Sequence, residues 1–173
     1  MQRISVVGIS GSGKSTLADR LAGRLGIPHI EIDGLFHLPG WVPRPTEELQ
    51  KLVAERLTGP GWVCDGNYTA VRGLIWDSAD TVIWLDLPRR TVMRQVILRT
   101  LRRIITRQEL WNGNRETFRN AFFEKESIIL WAWTQYPRTR AKYIAAMADP
   151  QWTRLNFVRL KSRAEVERFL GGI

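Results

Sequence analysis

The chain has 173 residues, of which 44% are hydrophobic and 25% are charged, and its formal net charge is +9. These values exclude a wholly disordered chain and predict one domain with a single core, while the positive charge predicts an anionic partner. The lone cysteine, Cys64, excludes an internal disulfide, and no run approaches the roughly 18 apolar residues of a membrane helix; with no signal peptide visible, we expect a cytoplasmic protein.

The first 65 residues alternate between short β-branched runs and apolar positions at helical spacing. Short runs that end at Gly or Asp predict buried strands, and leucines recurring every four residues predict helices. The predicted elements are, in chain order, a strand at residues 3–7 that ends at Gly8, a helix over Leu17, Leu21 and Leu25, a strand at residues 28–32, a helix capped by Thr46, and a strand at residues 62–64.

The second half of the chain continues this alternation with a longer helical part. Residues 81–85 and 157–160 predict two further strands. Between them, residues 91–147 are predicted to be helical, with breaks near residues 112–114 (Asn-Gly-Asn) and 136–137 (Tyr-Pro). Ser162 followed by Glu165 forms a capping box, which predicts the start of a terminal helix.

Strands of four or five residues that alternate with helices predict an α/β fold, with a mostly five-stranded parallel sheet covered by helices on both faces. In such sheets, ligands bind beyond the carboxyl ends of the strands. Three predicted strands end in or next to an aspartate, namely Asp33, Asp65 and Asp86. We interpret Asp86, which precedes Leu-Pro, as the end of a strand, and expect Asp33 and Asp65 to lie near a ligand. For both, an Asp-Gly turn without a ligand is the alternative.

Residues 8–15 match the phosphate-loop pattern G-x-x-x-x-G-K-[ST] without a mismatch, between a predicted strand and a predicted helix. The glycines let the backbone N–H groups point at phosphate oxygens, and the start of the helix adds partial positive charge. Lys14 is expected to reach the β- and γ-phosphates and Ser15 to ligate Mg²⁺. The residues predicted to bind ATP are Gly8, Ser10, Gly11, Ser12, Gly13, Lys14, Ser15 and Thr16. A Gly/Ser-rich turn without a ligand is the alternative.

Four longer stretches and the end of the chain carry a resemblance to a known family. They read GISGSGKST, IDGLFHLPGW, WVCDGNY and TVIWLDLPRR, and the chain closes with RLKSRAEVERFL. The chain resembles the small P-loop kinases of the adenylate kinase and shikimate kinase type, and within them the DNA topology modulation (FlaR-related) family. The resemblance implies a three-layer P-loop fold in one domain over residues 1–173, with a core at about 1–90 and 150–173 and an arginine-rich helical lid at about 91–148.

The resemblance also implies roles for residues after the second and third strands. Asp33 corresponds to an acid that meets the acceptor hydroxyl in shikimate-kinase-like enzymes, and Asp65 lies near the phosphates and Mg²⁺. In nucleoside monophosphate kinases, the Asp-Gly at the end of the third strand is followed by Phe-Pro-Arg. In this chain, residues 65–66 (Asp-Gly) are followed by Asn-Tyr-Thr at residues 67–69. Asn67 and Arg72 are therefore the candidates for contacting the acceptor there, with Arg72 in place of the missing arginine.

Phosphoryl transfer depends on positioning and on neutralising the phosphate oxygens. Lys14 would supply positive charge together with Arg99, which by resemblance contacts the transferring phosphoryl group. Asp33 is the predicted base for the acceptor hydroxyl. Trp41 follows an apolar run and a Pro-Gly turn, so we expect it to stack on an acceptor ring. An acid beside apolar walls favours a neutral, hydroxyl-bearing acceptor.

The sequence leaves three functions open. The first is an ATP- and Mg²⁺-dependent kinase of a nucleoside, nucleotide or small hydroxylated metabolite, as a monomer or homodimer without a membrane partner. The second is a nucleotide-regulated nucleic-acid-binding protein, since residues 88–148 carry 13 Lys or Arg against four Glu, and Arg99, Arg102 and Arg103 have the spacing to follow a phosphate backbone. No nucleic-acid-recognition motif accompanies them, so this reading is not favoured. The third is an NTPase without an acceptor.

Overall fold

The computed structural model describes residues 1–117 and 127–173. A five-stranded sheet lies at the centre, with all four strand pairs parallel and the order β2-β3-β1-β4-β5. The strands are β1 (Arg3–Gly8), β2 (His29–Glu31), β3 (Trp62–Asp65), β4 (Thr81–Leu85) and β5 (Asn156–Leu160). All five predicted strands are present, and β4 has the predicted bounds.

Helices connect the strands and cover the sheet. They are α1 (Lys14–Leu25), α2 (Ile32–Phe36), α3 (Thr46–Arg56), α4 (Thr69–Ser78), α5 (Arg89–Ile105), α6 (Ile128–Ala148) and α7 (Arg163–Gly171). Short 3₁₀ turns lie at Pro39–Trp41, Trp111–Gly113 and Pro150–Trp152. Across the two described ranges, no helix is both long enough and apolar enough to span a bilayer.

The central strand β1 is buried on both faces because its alternate residues serve two separate cores. Ile4 and Val6 pack with Leu17, Leu21 and Leu170 from α1 and α7. Val7 points to the other face and belongs to a cluster that includes residues of α3, α4 and α6. The predicted α/β fold class, with helices on both faces of a parallel sheet, is confirmed.

Two predicted helix starts have different outcomes. Ser162 caps α7 as predicted, since its Oγ accepts a hydrogen bond from the Glu165 N–H at 3.1 Å. Thr46 is not the cap of α3 and is instead its first residue; Pro45 occupies the cap position, and no side chain caps this helix. Proline already has the backbone angle suited to a helix start, and it has no N–H that would need a partner.

The predicted helical stretch 91–147 is interrupted in one of the two expected places. The chain leaves the helical conformation after Ile105, and the 3₁₀ turn Trp111–Gly113 lies at the predicted Asn-Gly-Asn break. The break predicted at residues 136–137 is wrong, because α6 continues through Pro137. Residues 118–126 of this stretch lie outside the described residues. Helices α2 and α4 were not predicted.

Helix α6 tolerates Pro137 because another helix supplies the missing hydrogen bond. Pro137 has no N–H to donate to the carbonyl of Trp133, four residues earlier. A guanidinium N–H of Arg89, at the start of α5, donates to that carbonyl at 2.8 Å. The same guanidinium carbon lies 3.4 Å from the centre of the Trp133 ring. A residue 44 positions away in the chain therefore satisfies the carbonyl that Pro137 leaves without a donor.

Asp86, at the end of β4, holds neighbouring elements together. Its buried carboxylate accepts hydrogen bonds from Arg140 of α6 at 3.1 Å and from Arg159 of β5 at 3.0 Å. Both bonds are charge-assisted and therefore stronger than neutral ones. This arrangement agrees with the interpretation of Asp86 as an end-of-strand group.

The Arg89–Trp133 hydrogen bond gives a testable double-mutant cycle. We expect Arg89→Met to lower the free energy of unfolding by about 1 kcal/mol in the wild-type chain, because the Trp133 carbonyl loses its donor. In a Pro137→Ala background the cost should be smaller, because the alanine N–H donates to the same carbonyl. Urea denaturation of the four proteins measures both costs. Equal costs in the two backgrounds would contradict this account.

Candidate active site

The loop between β1 and α1 adopts a conformation that requires glycine. Gly11 and Gly13 have φ angles of 82° and 93°, in the left-handed region that side-chain-bearing residues avoid. A Cβ on Gly11 would lie 2.8 Å from the Cβ of Val96 in α5, whereas a Cβ on Gly13 would meet nothing within 4 Å. The loop is therefore packed against α5 on one side and open at Gly13.

Two side-chain donors of this loop, those of Ser12 and Lys14, are poorly satisfied, and they fit a phosphate group. The Ser12 hydroxyl is buried without a hydrogen-bond partner among the described residues. The half-buried Lys14 ammonium makes one long hydrogen bond, 3.4 Å, to the Ile9 carbonyl. Burial lowers the pKa of Lys14 more than the nearby Asp33 and Asp65 raise it. An anion here would stabilise the charged ammonium and give Ser12 a partner.

Ser15, Asp65 and His29 form a chain of hydrogen bonds beside the loop. The Ser15 hydroxyl donates to one oxygen of Asp65 at 2.7 Å, and His29 Nε2 lies 2.8 Å from the other. Burial acts to lower the pKa of His29, but the hydrogen bond and charge of Asp65, together with the charges of Glu31 and Asp19, outweigh it, so the pKa is raised. His29 was not predicted to belong to the site.

The oxygen ligands at Ser15 and Asp65 fit a magnesium ion that keeps most of its ligands as water and phosphate oxygen. In residues 1–117 and 127–173, no three His, Cys, Asp or Glu side chains gather as a protein-only metal site. Magnesium held mainly by a nucleotide does not require such a group. Ser15 and Asp65 are the residues that could hold it.

Asp33 lies at the start of α2 and is held by a tyrosine. The Tyr68 hydroxyl donates to Asp33 Oδ1 at 2.6 Å and lies 3.4 Å from His37 Nε2. Burial, followed by the charge of Asp33, raises the pKa of Tyr68, so the phenol remains a donor. Asp33 also raises the pKa of Lys14, so the carboxylate and the ammonium share one electrostatic environment.

A cluster of aromatic rings includes Tyr68, which holds this carboxylate. Phe36 lies 4.4 Å from Tyr68 between ring centroids, and His37 lies 5.2 Å from Trp41 and 6.0 Å from Trp111. The ring of Trp41, predicted to stack on an acceptor, thus contacts protein rings in this structure. Trp41 also has a φ of 61°, unusual for a large side chain.

Residues 106–117, which we call the cover segment, contact the end of β2, helix α2 and the turn that follows it. The Trp111 indole N–H donates to Glu31 Oε2 at 2.6 Å. The Asn112 amide donates to the carbonyl of Gly34 at 3.2 Å. Asn114 accepts from the Trp41 N–H at 2.9 Å. The sequence indicated only a helix break at Asn-Gly-Asn, and carried no signal that these side chains bind residues of the second strand and its loop.

Three further predicted residues have different surroundings. Arg99, on α5, is half-buried; burial and the charge of Arg103 lower its pKa while Asp33 opposes them, and its Nε has no partner within the described ranges. The Asn67 amide is bonded to both backbone groups of Gly8 and accepts from the Tyr143 hydroxyl at 2.8 Å. It therefore braces the start of the phosphate loop.

Arg72 lies against Trp76 of α4 and near α6. Its guanidinium carbon lies 5.4 Å from the Trp76 ring centre, and its charge lowers the pKa values of Lys142 and Tyr143. Arg72 thus lies on the side of α4 that faces α6. By contrast, the charges of Asp33, Asp65 and Arg99 all act on the pKa of Lys14, so these four residues lie near one another.

No family model and no curated protein sequence matches the chain. Among solved structures, it is similar to a shikimate kinase from Bacteroides thetaiotaomicron, with a TM-score of 0.59 and 14% sequence identity. The match covers 99% of this chain and 95% of that chain. The chain therefore shares the α/β fold of that structure, with a five-stranded parallel sheet.

The contact between Gly34 and Trp111 predicts that Gly34→Ala changes the free energy of unfolding differently in the wild-type chain and in a Trp111→Ala background. A Cβ on Gly34 would lie 2.9 Å from Trp111 Cδ1, so Gly34→Ala should displace the indole and lower the free energy of unfolding by about 1–3 kcal/mol. In a Trp111→Ala background the same change should be neutral or stabilising by up to about 1 kcal/mol, because alanine favours a helix over glycine. Urea denaturation measures both effects, and an identical effect in both backgrounds would disprove the steric explanation.

Proposed function

We propose that this protein is a kinase that transfers the γ-phosphoryl group of ATP to a hydroxyl group of a small acceptor. The observation that carries the proposal is the pairing of poorly satisfied donors with a carboxylate at one sheet edge. Ser12 and Lys14 provide the donors, and Asp33 provides the carboxylate. Phosphoryl transfer requires both kinds of group beside each other.

The phosphate loop, residues 8–16, would bind the phosphates of ATP. Lys14 and Arg99 would donate to the oxygens of the transferring group and neutralise their charge. Ser15 and Asp65 would hold Mg²⁺, which supplies further neutralisation of the phosphates when it is bound. The unpartnered Nε of the half-buried Arg99 supports its role, because a buried guanidinium gains from an anionic partner.

Asp33 would accept the proton of the acceptor hydroxyl as that oxygen attacks the γ-phosphorus and ADP leaves. The Tyr68 hydroxyl, 2.6 Å from Asp33 Oδ1, leaves the second carboxylate oxygen for the acceptor. Tyr68 thereby fixes the direction in which the base points. Removing one such base lowers the rate of proton-coupled transfer by typically about 10²- to 10⁴-fold.

The surroundings of Asp33 favour an acceptor with a hydroxyl group and little negative charge. Aromatic rings and the carboxylate of Glu31 lie on this side of the site. Arg44 is bonded to the Leu35 carbonyl at 2.7 Å, and Arg103 is paired with Glu116 at 2.9 Å. Arg72, the candidate for an acceptor phosphate, lies against Trp76 instead. Because these arginines are engaged elsewhere, a nucleoside or small hydroxylated metabolite suits the surroundings of Asp33 better than a nucleotide with its negatively charged phosphate.

The nucleic-acid alternative receives less support. Of the three arginines with the spacing to follow a phosphate backbone, Arg102 is exposed, whereas Arg99 and Arg103 are half-buried. Arg103 already has a carboxylate partner in Glu116. The membership of the DNA topology modulation family and the monomeric or dimeric state stay predictions.

A screen of acceptors tests the proposed function. The purified protein is incubated with MgATP and a panel of nucleosides, nucleotides, sugars and cyclitols, and phosphorylated products are detected by mass spectrometry. We expect transfer to at least one hydroxylated acceptor with little negative charge. Hydrolysis of ATP that no acceptor changes would favour an NTPase. Submicromolar duplex affinity that falls steeply with salt would favour the nucleic-acid alternative.

Lys14→Ala should abolish ATP turnover, because no other side chain of the loop supplies a positive charge to the phosphates. Turnover is measured by ADP release, with circular dichroism to verify folding. Lys51→Ala is the matched control, since Lys51 is exposed on α3. Turnover retained in Lys14→Ala would contradict the assignment of the phosphate loop.

Asp33→Asn should leave ATP affinity within a few-fold of wild type and reduce phosphoryl transfer by about 10²-fold or more. The amide keeps the shape of the carboxylate but cannot accept the proton. Calorimetry measures ATP binding, and product formation with the acceptor found in the screen measures transfer. Asp77→Asn, at an exposed position on α4, is the control. Unchanged transfer in Asp33→Asn would exclude a catalytic role for this residue.

A further inference from the structure

The buried carboxylate of Asp65 has one hydrogen-bond partner for each of its oxygens. Asp65 is 2% exposed. Oδ2 accepts from the Ser15 hydroxyl at 2.7 Å, and Oδ1 lies 2.8 Å from His29 Nε2. A buried carboxylate without donors is strongly destabilised, so both contacts matter to its orientation.

The strand register explains why residue 29 reaches this carboxylate. In the parallel pairing of β2 with β3, Glu31 lies opposite Asp65, and His29 lies opposite Val63. Side chains alternate along a strand, so residues 29 and 31 point to the same face as Asp65. Glu31 cannot take this role, because an ionised carboxylate has no hydrogen to donate to Asp65; its Oε2 accepts from the Trp111 indole instead. The histidine is thus the β2 side chain bonded to Asp65.

We propose that His29 is a positioning residue that sets the magnesium affinity of the site through Asp65. By holding Oδ1, His29 keeps Oδ2 directed at Ser15. The Ser15 hydroxyl then donates its hydrogen bond to Asp65 Oδ2, and the lone pairs of the Ser15 oxygen would be left for the metal. Groups bonded to metal-binding residues commonly orient them and tune the affinity in this way. The proposal rests on the proposed function, since it requires Mg²⁺ at Ser15 and Asp65.

A purely structural role for His29 predicts something different. If the histidine only satisfied a buried carboxylate, its removal would lower the stability of β2 and β3 and leave the metal affinity of the folded protein unchanged. The two roles therefore separate in a measurement of metal binding that does not depend on turnover.

The experiment uses Mn²⁺ as a paramagnetic substitute for Mg²⁺ and follows its binding to the ADP complex by electron paramagnetic resonance. We expect His29→Leu to weaken Mn²⁺ binding by about 10- to 100-fold, the range typical for loss of a group that orients a metal ligand. Binding of ADP in the presence of EDTA should stay as in the wild type. His29→Gln retains an N–H donor near the position of Nε2 and should recover most of the lost affinity.

Ile30→Ala is the matched structural control. Ile30 is a buried residue of the same strand, so its truncation destabilises β2 without removing the bond to Asp65. Unchanged Mn²⁺ affinity in His29→Leu, or an equal loss in Ile30→Ala, would overturn the proposal. Absence of ADP and Mn²⁺ binding in the wild-type protein would contradict the proposed function itself, and that result is read from the wild-type titration alone.

Discussion

The central position of β1 is the constraint on which the rest of the structure depends. With β3 on one side and β4 on the other, its backbone is satisfied within the sheet, and both of its faces are covered by apolar cores. Its backbone leaves the ladder at Gly8, where Asn67 supplies both a donor and an acceptor to the glycine. The phosphate loop therefore begins from a fixed point, and the neighbouring strands bring Asp65 and Asp86 to the same edge.

The charged groups at this edge depend on one another. The half-buried Lys14 feels the negative charges of Asp33 and Asp65. Asp65 is buried and bonded to a serine and a histidine, and Asp33 is bonded to a phenol. Each of these groups would be destabilised alone in a low-dielectric environment. The arrangement keeps charge in place without neutralising the donors of the loop, which is the condition for binding a phosphate chain.

The strands, the phosphate loop and the cap of α7 could be predicted because their signals are local. A β-branched run, a glycine pattern and a Ser-x-x-Glu spacing all lie within a few residues. The continuation of α6 through Pro137 could not be predicted, since it depends on a donor 44 residues away. The bond between Trp111 and Glu31 joins residues 80 positions apart, and neither residue type indicates it. The role of Asn67 could not be predicted either: its amide was expected to contact an acceptor, and it binds the backbone of Gly8, 59 positions away, instead.

The left-handed backbone of Trp41 changes what it costs to move the cover segment. A residue with a Cβ in this conformation carries roughly 1–2 kcal/mol of strain, and Asn114 stabilises it through the Trp41 N–H. Displacement of the cover segment would break the hydrogen bonds of Asn114 to Trp41 and Leu38, but it would also let Trp41 relax to an ordinary backbone conformation. Such a displacement would therefore cost less free energy than the number of broken hydrogen bonds suggests.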